Sequence, residues 1–594
     1  MLNFKSDRLT YAELLAAPVS GYELTEAVGT TYSLDLLALL AIPVAMFFNR
    51  SLDGDFKQNR YDILEAIRKS KERVTVFCQR GKIHTPDSYT NLMAFVEDCI
   101  VEVLPENKYT SFHPKIWVLR FEKKRQVIYR LAVLSRNLTF DRSWDISCFV
   151  EGAPGTAATA GGQQLSNFLK HFYQSTGRQH DKKFLRDLTR VEFDFPSIFS
   201  VSALFPIIGH KQAAVFSNPM KLAGYDELLV VSPFVDDATV RHFKERNKKL
   251  TLLARGDELD KLDEGLLEGM SVYAFNQTIR DGELMLDNEE QVSTYQDLHA
   301  KIYLGKKGAF TDWLMGSANC TAAAFERNTE FLLKFSGKHP NADLTVIKNI
   351  LTDPVSRVFL PYERKLQEVD EEQKSLERLL RRINFKLSAA AFTGVVLERP
   401  EQQNFDLEVS VDLRGLAFAE NVRLFGALLH RQDKALELYA GSGNVIVFEN
   451  VALTRLSHFL AVDIWVDGAS VCRLVIKIDI KNIPAERDDI IFNELINSRQ
   501  SFYRYLQFLL SPDEFDGLAE ILDETQDNGA GGSAEGNPVE LSPPIYEHLL
   551  LAASRSPAKL KEINQVMIRL EHLNSEIIEE FKPIWEVFKK FADG

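Results

Sequence analysis

His113-Pro114-Lys115-Ile116-Trp117-Val118-Leu119-Arg120 is followed by Leu131-Ala132-Val133-Leu134-Ser135-Arg136-Asn137. The pattern returns as His299-Ala300-Lys301-Ile302-Tyr303-Leu304 and then Trp313-Leu314-Met315-Gly316-Ser317-Ala318-Asn319. In each copy a His-x-Lys opens one apolar run and a Ser-x-Asn closes the next. Such runs predict strands, at Lys115 to Phe121 and Val127 to Leu134 and again at Lys301 to Leu304 and Trp313 to Gly316. The polar Glu122-Lys123-Lys124-Arg125 predicts the turn between the first pair. On a strand, residues i and i+2 share a face, so each histidine and its lysine are expected to project together. A neighbouring antiparallel strand would set the serine and asparagine beside them.

Working outward, each copy has the same approach. Val74-Thr75-Val76-Phe77-Cys78-Gln79-Arg80-Gly81 resembles Leu250-Thr251-Leu252-Leu253-Ala254-Arg255-Gly256. In both, a helical stretch (Asp62 to Lys69, Ala238 to Asn247) leads into a strand that ends in Arg-Gly, and Glu227 to Val235 predicts one more strand. Strands alternating with helices predict an α/β fold, and two units in the same order predict a duplicated one. The expected division is 1–185 and 186–365 for the two units, 366–390 for a helical connection, 391–492 for an all-β sandwich-like domain and 493–594 for a helical end. The sandwich rests on alternating stretches such as Phe405 to Leu413 and on Asp467-Gly468 as a hairpin turn. Gly152 to Gly162 and 525–544 are rich in small residues and read as mobile connections.

The twin motifs suit phosphodiester chemistry. One imidazole can attack phosphorus and the other can protonate the leaving oxygen and later deprotonate water. Lys115 and Lys301 would neutralise the non-bridging oxygens, and Asn137 and Asn319 would donate to them. No metal or cofactor is required. With twelve histidines in the chain, about one His-x-Lys is expected from composition alone. His180-Asp181-Lys182 and His242-Phe243-Lys244 are two more, but neither is followed by Ser-x-Asn at like spacing, and both read as solvated surface. In the matched pair the asparagine follows its histidine by 24 and 20 residues.

The matched motifs resemble the phospholipase D superfamily, over about residues 30–365. Gly316-Ser317-Ala318-Asn319, Asn328-Thr329-Glu330 and Ser232-Pro233-Phe234-Val235-Asp236 fit its pattern. The resemblance implies that two α/β halves of one chain bring His113 and His299 to one phosphate, one as nucleophile and the other as general acid and base. A complete site would then not need a second chain. It also assigns supporting roles to Ser135, Ser317 and Glu330, with Asp145 as the first copy's acidic residue. The family's aspartate five positions after the lysine is replaced by Arg120 and Lys306, and Leu134 stands where glycine is usual. Arg80 and Arg255 read either as phosphate contacts or as plain strand-end charges beside a turn glycine.

The 594 residues carry a formal net charge of −14 with 45% hydrophobic and 26% charged residues. That composition excludes disordered and collagen-like chains and a surface that is polyanion-binding throughout. Five scattered cysteines without a CxxC pair read as reduced thiols, which points to the cytoplasm. Leu36 to Phe48 is apolar but short for a span, and reads as a buried helix. The expectation is a metal-independent nuclease acting on DNA or RNA through a phosphohistidine, resembling those of bacterial restriction and phage defence, with no membrane partner. The β and helical regions would bind nucleic acid or partner proteins. A phospholipase D-type lipid hydrolase and a non-catalytic scaffold remain as alternatives.

Overall fold

The computed structural model describes residues 11–18, 21–48, 66–86, 89–139, 143–209, 222–277, 297–364, 371–399, 404–414, 421–439, 441–496, 499–510, 545–546, 549–550, 552–553, 557–573 and 575–592. The stretch 525–544 and the start of the helix expected from Asp62 lie outside them.

Two mixed sheets dominate the first 361 residues. From one edge, the first runs Val191–Asp194, Ser147–Pro154, Gln126–Leu134, Ile116–Lys123, Glu23–Thr31, Val74–Gln79, Ile100–Val103. The second runs Val201–Ile208, Thr329–Gly337, Phe310–Gly316, Ile302–Lys307, Glu227–Val231, Leu250–Ala254, Ser271–Phe275, and adds Phe359–Pro361. The pairing senses agree too. Glu23–Thr31 is antiparallel to Ile116–Lys123 and parallel to Val74–Gln79, just as Glu227–Val231 is antiparallel to Ile302–Lys307 and parallel to Leu250–Ala254. The parallel strands Val74–Gln79 and Leu250–Ala254 are buried at every position, as apolar runs covered on both faces should be.

The inner faces of both sheets share one core, with Phe168 and Phe172 of helix Ala160–Thr176 packed among Val28, Ile116, Val231, Ile302 and Phe331. That helix corrects the reading of Gly152 to Gly162 as a mobile connection. The stretch completes strand Ser147–Pro154 and then opens the helix, whose Thr159 side chain accepts from Gly162 N at 3.0 Å. Its small residues serve close packing: a Cβ on Gly152 would lie 2.0 Å from the Glu192 carbonyl oxygen. The strand expected to reach Val235 ends at Val231, and Ser232 to Val235 turns towards the site.

The apolar helix Leu36–Phe48 is buried against the C-terminal helices, with Leu39, Leu40 and Met46 in one core with Phe502, Phe581 and Trp585. No helix of the described residues is long and apolar enough to cross a membrane. The β region has two sheets. One joins Gly441–Ala452, Asn404–Leu413, Ala391–Glu398 and Asp479–Lys481. The other joins Val422–Leu428, Leu436–Leu438, Phe459–Val466 and Ala469–Lys477, and is extended by Leu34–Asp35 and Ile83–His84 from the N-terminal part. Asp467 and Gly468 both have positive φ, as the expected hairpin turn requires. Helix Glu371–Ala389 buries Ile383 and Leu387 in the core between these sheets. The five cysteines are all unpaired.

Candidate active site

The two His-x-Lys segments lie in the extended backbone that leads into strands Ile116–Lys123 and Ile302–Lys307, not on the strands as expected. Each lysine therefore bends back on its own histidine. Lys115 Nζ sits 2.9 Å from His113 Nε2 and 3.2 Å from the His113 carbonyl. Lys301 Nζ donates to the His299 carbonyl at 2.7 Å.

The backbone fixes both stations in matching register. His113 N donates to Thr329 O at 2.9 Å and His299 N to Trp144 O at 2.8 Å, each reaching into the other half of the chain. Leu134 N binds Lys115 O (2.9 Å) where Gly316 N binds Lys301 O (3.4 Å). Leu134 thus holds the same place as glycine. Only the second copy needs one, because Gly316 has φ +151° and a Cβ there would lie 2.2 Å from Phe331 O. Ser135 and Ser317 are fully buried. Their hydroxyls accept from Ile146 N and Phe331 N, both at 2.9 Å. Both hydroxyls are thereby tied to the backbone that leads along the next strand.

This register makes Asp145 the counterpart of Glu330. Glu330, wholly buried, holds His113 Nδ1 at 3.0 Å across the halves, and accepts from the Ser317 hydroxyl and from Asn328 Nδ2 (3.2 Å). Asp145 is half-exposed and faces Arg136 at 3.4 Å. Lys301 Nζ also reaches across, to Ser135 O at 3.2 Å. His113 and His299 keep 15% and 18% of their side chains exposed. The Oδ1 atoms of Asn137 and Asn319 are buried with no donor among the described residues. Amides left unsatisfied at both matching positions suit a bound anion that turns them over to donate.

Burial depresses the cations of the cluster. It brings His113 down to about 4 against the opposing pull of Glu330. It brings Lys301 down to about 7, and pushes Lys115 well below its ordinary value with help from Lys301. At neutral pH His113 is therefore an uncharged imidazole. Its Nδ1–H donates to Glu330, so the Nε2 lone pair faces the lysine.

The two arginines part company. Arg255 pairs with Asp297, donates to Leu298 O at 3.1 Å and lies 4.6 Å from the Phe234 ring centroid. Asp297 lies 3.9 Å from His299 Nε2. Arg80 instead points to Ala390 O (3.3 Å) and Glu102 (3.6 Å), away from the site. Register explains the difference. Gly29 pairs with Val76 and with Trp117, and Val230 pairs with Leu252 and with Tyr303, so Gln79 occupies the place of Arg255. Arg80 is one residue further on and faces the opposite way. Gln79 Oε1 accepts from Phe112 N at 2.9 Å.

The motif reading did not single out Asp297 or Tyr32, whose ring lies 5.3 Å from that of His113. A carboxylate two residues before His299 was a usable signal for Asp297; Tyr32 carries none. Of the other His-x-Lys pairs, His180 and His242 are half-buried rather than solvated, at a helix start and within a helix. Among the described residues no group of three His, Cys, Asp or Glu side chains is placed to hold a metal ion.

No family model matches the chain, and no curated protein matches it. Three solved structures are similar in part. A mutant of the yeast tyrosyl-DNA phosphodiesterase shares 10% identity at a TM-score of 0.36, over 57% of this chain and 86% of that one. The phosphatidylserine synthase of Haemophilus influenzae shares 12% at 0.34, over 64% and 91%. The polyphosphate kinase of Porphyromonas gingivalis shares 12% at 0.31, over 63% of this chain and half of the kinase.

Proposed function

We propose that this chain is a phosphodiesterase of the phospholipase D type that cuts nucleic acid without a metal, through a phosphohistidine, at one site built from two pseudo-symmetric halves. The observation that carries the reading is the reciprocal grip between halves: Glu330 on His113 Nδ1, and Lys301 on the Ser135 carbonyl. Two His-x-Lys stations in matching register are thereby drawn into one buried, cation-rich cluster.

In this reading His113 is the nucleophile. An arriving phosphate oxygen takes over the Lys115 ammonium and frees Nε2. That lone pair forms the N–P bond as the P–O bond to the leaving strand breaks. His299 gives its proton to the leaving oxygen, then takes one from the water that attacks phosphorus and releases His113. Lys115, Lys301, Asn137 and Asn319 bind the non-bridging oxygens.

Nucleic acid is favoured over lipid by exposed aromatic rings on segments that carry the site. Phe234 is 41% exposed beside Arg255. Tyr109 is 57% exposed, with Lys108 4.9 Å from its ring, on the segment that leads into His113. Exposed rings beside cations offer stacking and backbone contacts to bases that flank a scissile phosphate. The test is to incubate the chain with labelled DNA, RNA and phosphatidylcholine in EDTA. Cleavage of DNA or RNA that is lost in His113→Ala supports the reading. Turnover of lipid alone, or of nothing, overturns it.

A further inference from the structure

A cavity of about 770 Å³ opens where the chain beyond strand Ile83–His84 meets the β region. Its wall includes Tyr89, His430, Gln432, Asp433, Arg455 and Arg473, none of which belongs to the paired-histidine site. The volume falls in the range of small-molecule sites. Its two arginines differ in commitment. Arg473 is held by Asp463 at 2.6 Å and by Gln432. Arg455 is half-buried, and its guanidinium lies 5.5 Å from the Tyr89 ring centroid. Among the described residues no hydrogen bond or ion pair engages it, so its N–H donors face the cavity uncommitted.

Beside it, the rings of Tyr89 and His430 meet at 5.7 Å and 51°. Burial, Arg455 and Arg431 bring His430 down to about 4, so it is a neutral ring at physiological pH and records a positive local field. Asp433 adds an exposed carboxylate to the lining, while the Gln432 amide is engaged by Arg473 and the Leu429 carbonyl. An unpaired guanidinium wants a phosphate or carboxylate. Two neutral aromatic rings want a flat partner.

We propose that this cavity binds a nucleoside 5′-phosphate, with its phosphate on Arg455 and its base against the Tyr89–His430 pair. A free mononucleotide and the 5′-terminal nucleotide of a strand present the same chemistry.

The full chain is titrated calorimetrically with adenosine 5′-monophosphate and with inorganic phosphate, in EDTA. The nucleotide is expected to bind wild type and His113→Asn equally. Arg455→Gln should weaken it about tenfold or more at an unchanged unfolding temperature, the loss of one charge-assisted contact. His430→Ala, a second and independent variant, should weaken the nucleotide but not phosphate. Displacement by a 5′-phosphorylated oligonucleotide, measured in His299→Ala, supports the site as one for strand ends; lack of displacement supports it as one for free nucleotide. The proposal is overturned if the nucleotide does not bind, if Arg455→Gln or a folded His430→Ala binds it like wild type, or if His113→Asn abolishes binding.

Discussion

The two histidine stations share a backbone and differ in charge. His113 is held by a buried carboxylate from the other half, lies with its ring tilted 59° to that of Tyr32, and has Gln79 at the register position of Arg255. His299 has Asp297, on its own segment, 3.9 Å from its Nε2, with Arg255 bound to that acid. Equal register with unequal electrostatics is how one duplicated framework can run two different roles, nucleophile and proton carrier, at one pH. A neutral imidazole oriented through Nδ1 is ready to attack. One beside an exposed carboxylate and an arginine is better placed to carry a proton to and fro.

The largest test of this asymmetry is to remove each ring. His113→Ala and His299→Ala should each lower nucleic-acid cleavage on the order of 10³-fold or more, since the rings act as a unit. Only His299→Ala should still trap acid-labile, base-stable label from a phosphorus-labelled substrate with a good leaving group. Label on His299 in His113→Ala would reverse the roles.

Next in size is Glu330→Gln, expected to cost on the order of 10²-fold in kcat by loosening His113. Glu330 also raises His113 and both lysines. The variant should therefore shift both limbs of the pH–rate profile to lower pH, which a merely structural defect would not do.

In the native chain, kcat/KM should rise with pH through about 4 as His113 loses its proton, and fall through about 7 as Lys301 loses its charge. Stability carries the same signature. The unfolded chain protonates this histidine near 6.5 while the native one resists to about 4. The fold therefore loses stability as pH falls across that window, an effect that chemical denaturation of wild type and His113→Asn would expose.

The smallest effects concern the arginines. Arg255→Gln makes the second station like the first and should lower kcat/KM about tenfold. Arg80→Gln should leave activity unchanged and lower stability by about 1–3 kcal/mol, because Glu102, whose side chain is only 7% exposed, loses a partner. Equal losses of activity in the two variants would erase the distinction drawn from their registers.

Much of this was legible in the chain. The His-x-Lys and Ser-x-Asn pairs, their repetition and the strands beside them could be read because hydrophobic period and motif spacing are local properties, whereas Glu23–Thr31 and Thr329–Gly337 were not singled out. Gly152 to Gly162 misled because small residues signal both flexibility and close packing, and only Glu192 and the Thr159 cap distinguish the two. Arg80 stayed open between two readings because Val74 to Gly81 and Leu250 to Gly256 look alike while differing by one residue. In a strand, one residue reverses the face.

By itself the sequence determined which side chains are candidates for the chemistry and that they come in two sets, since residue type and periodicity are written along the chain. Only the tertiary structure decided which carboxylate holds which histidine, which arginine turns towards the cluster, and that among the described residues no hydrogen bond or ion pair engages Arg455. Those outcomes depend on residues hundreds of positions apart, whose meeting is fixed by sheet register and burial rather than by any local pattern.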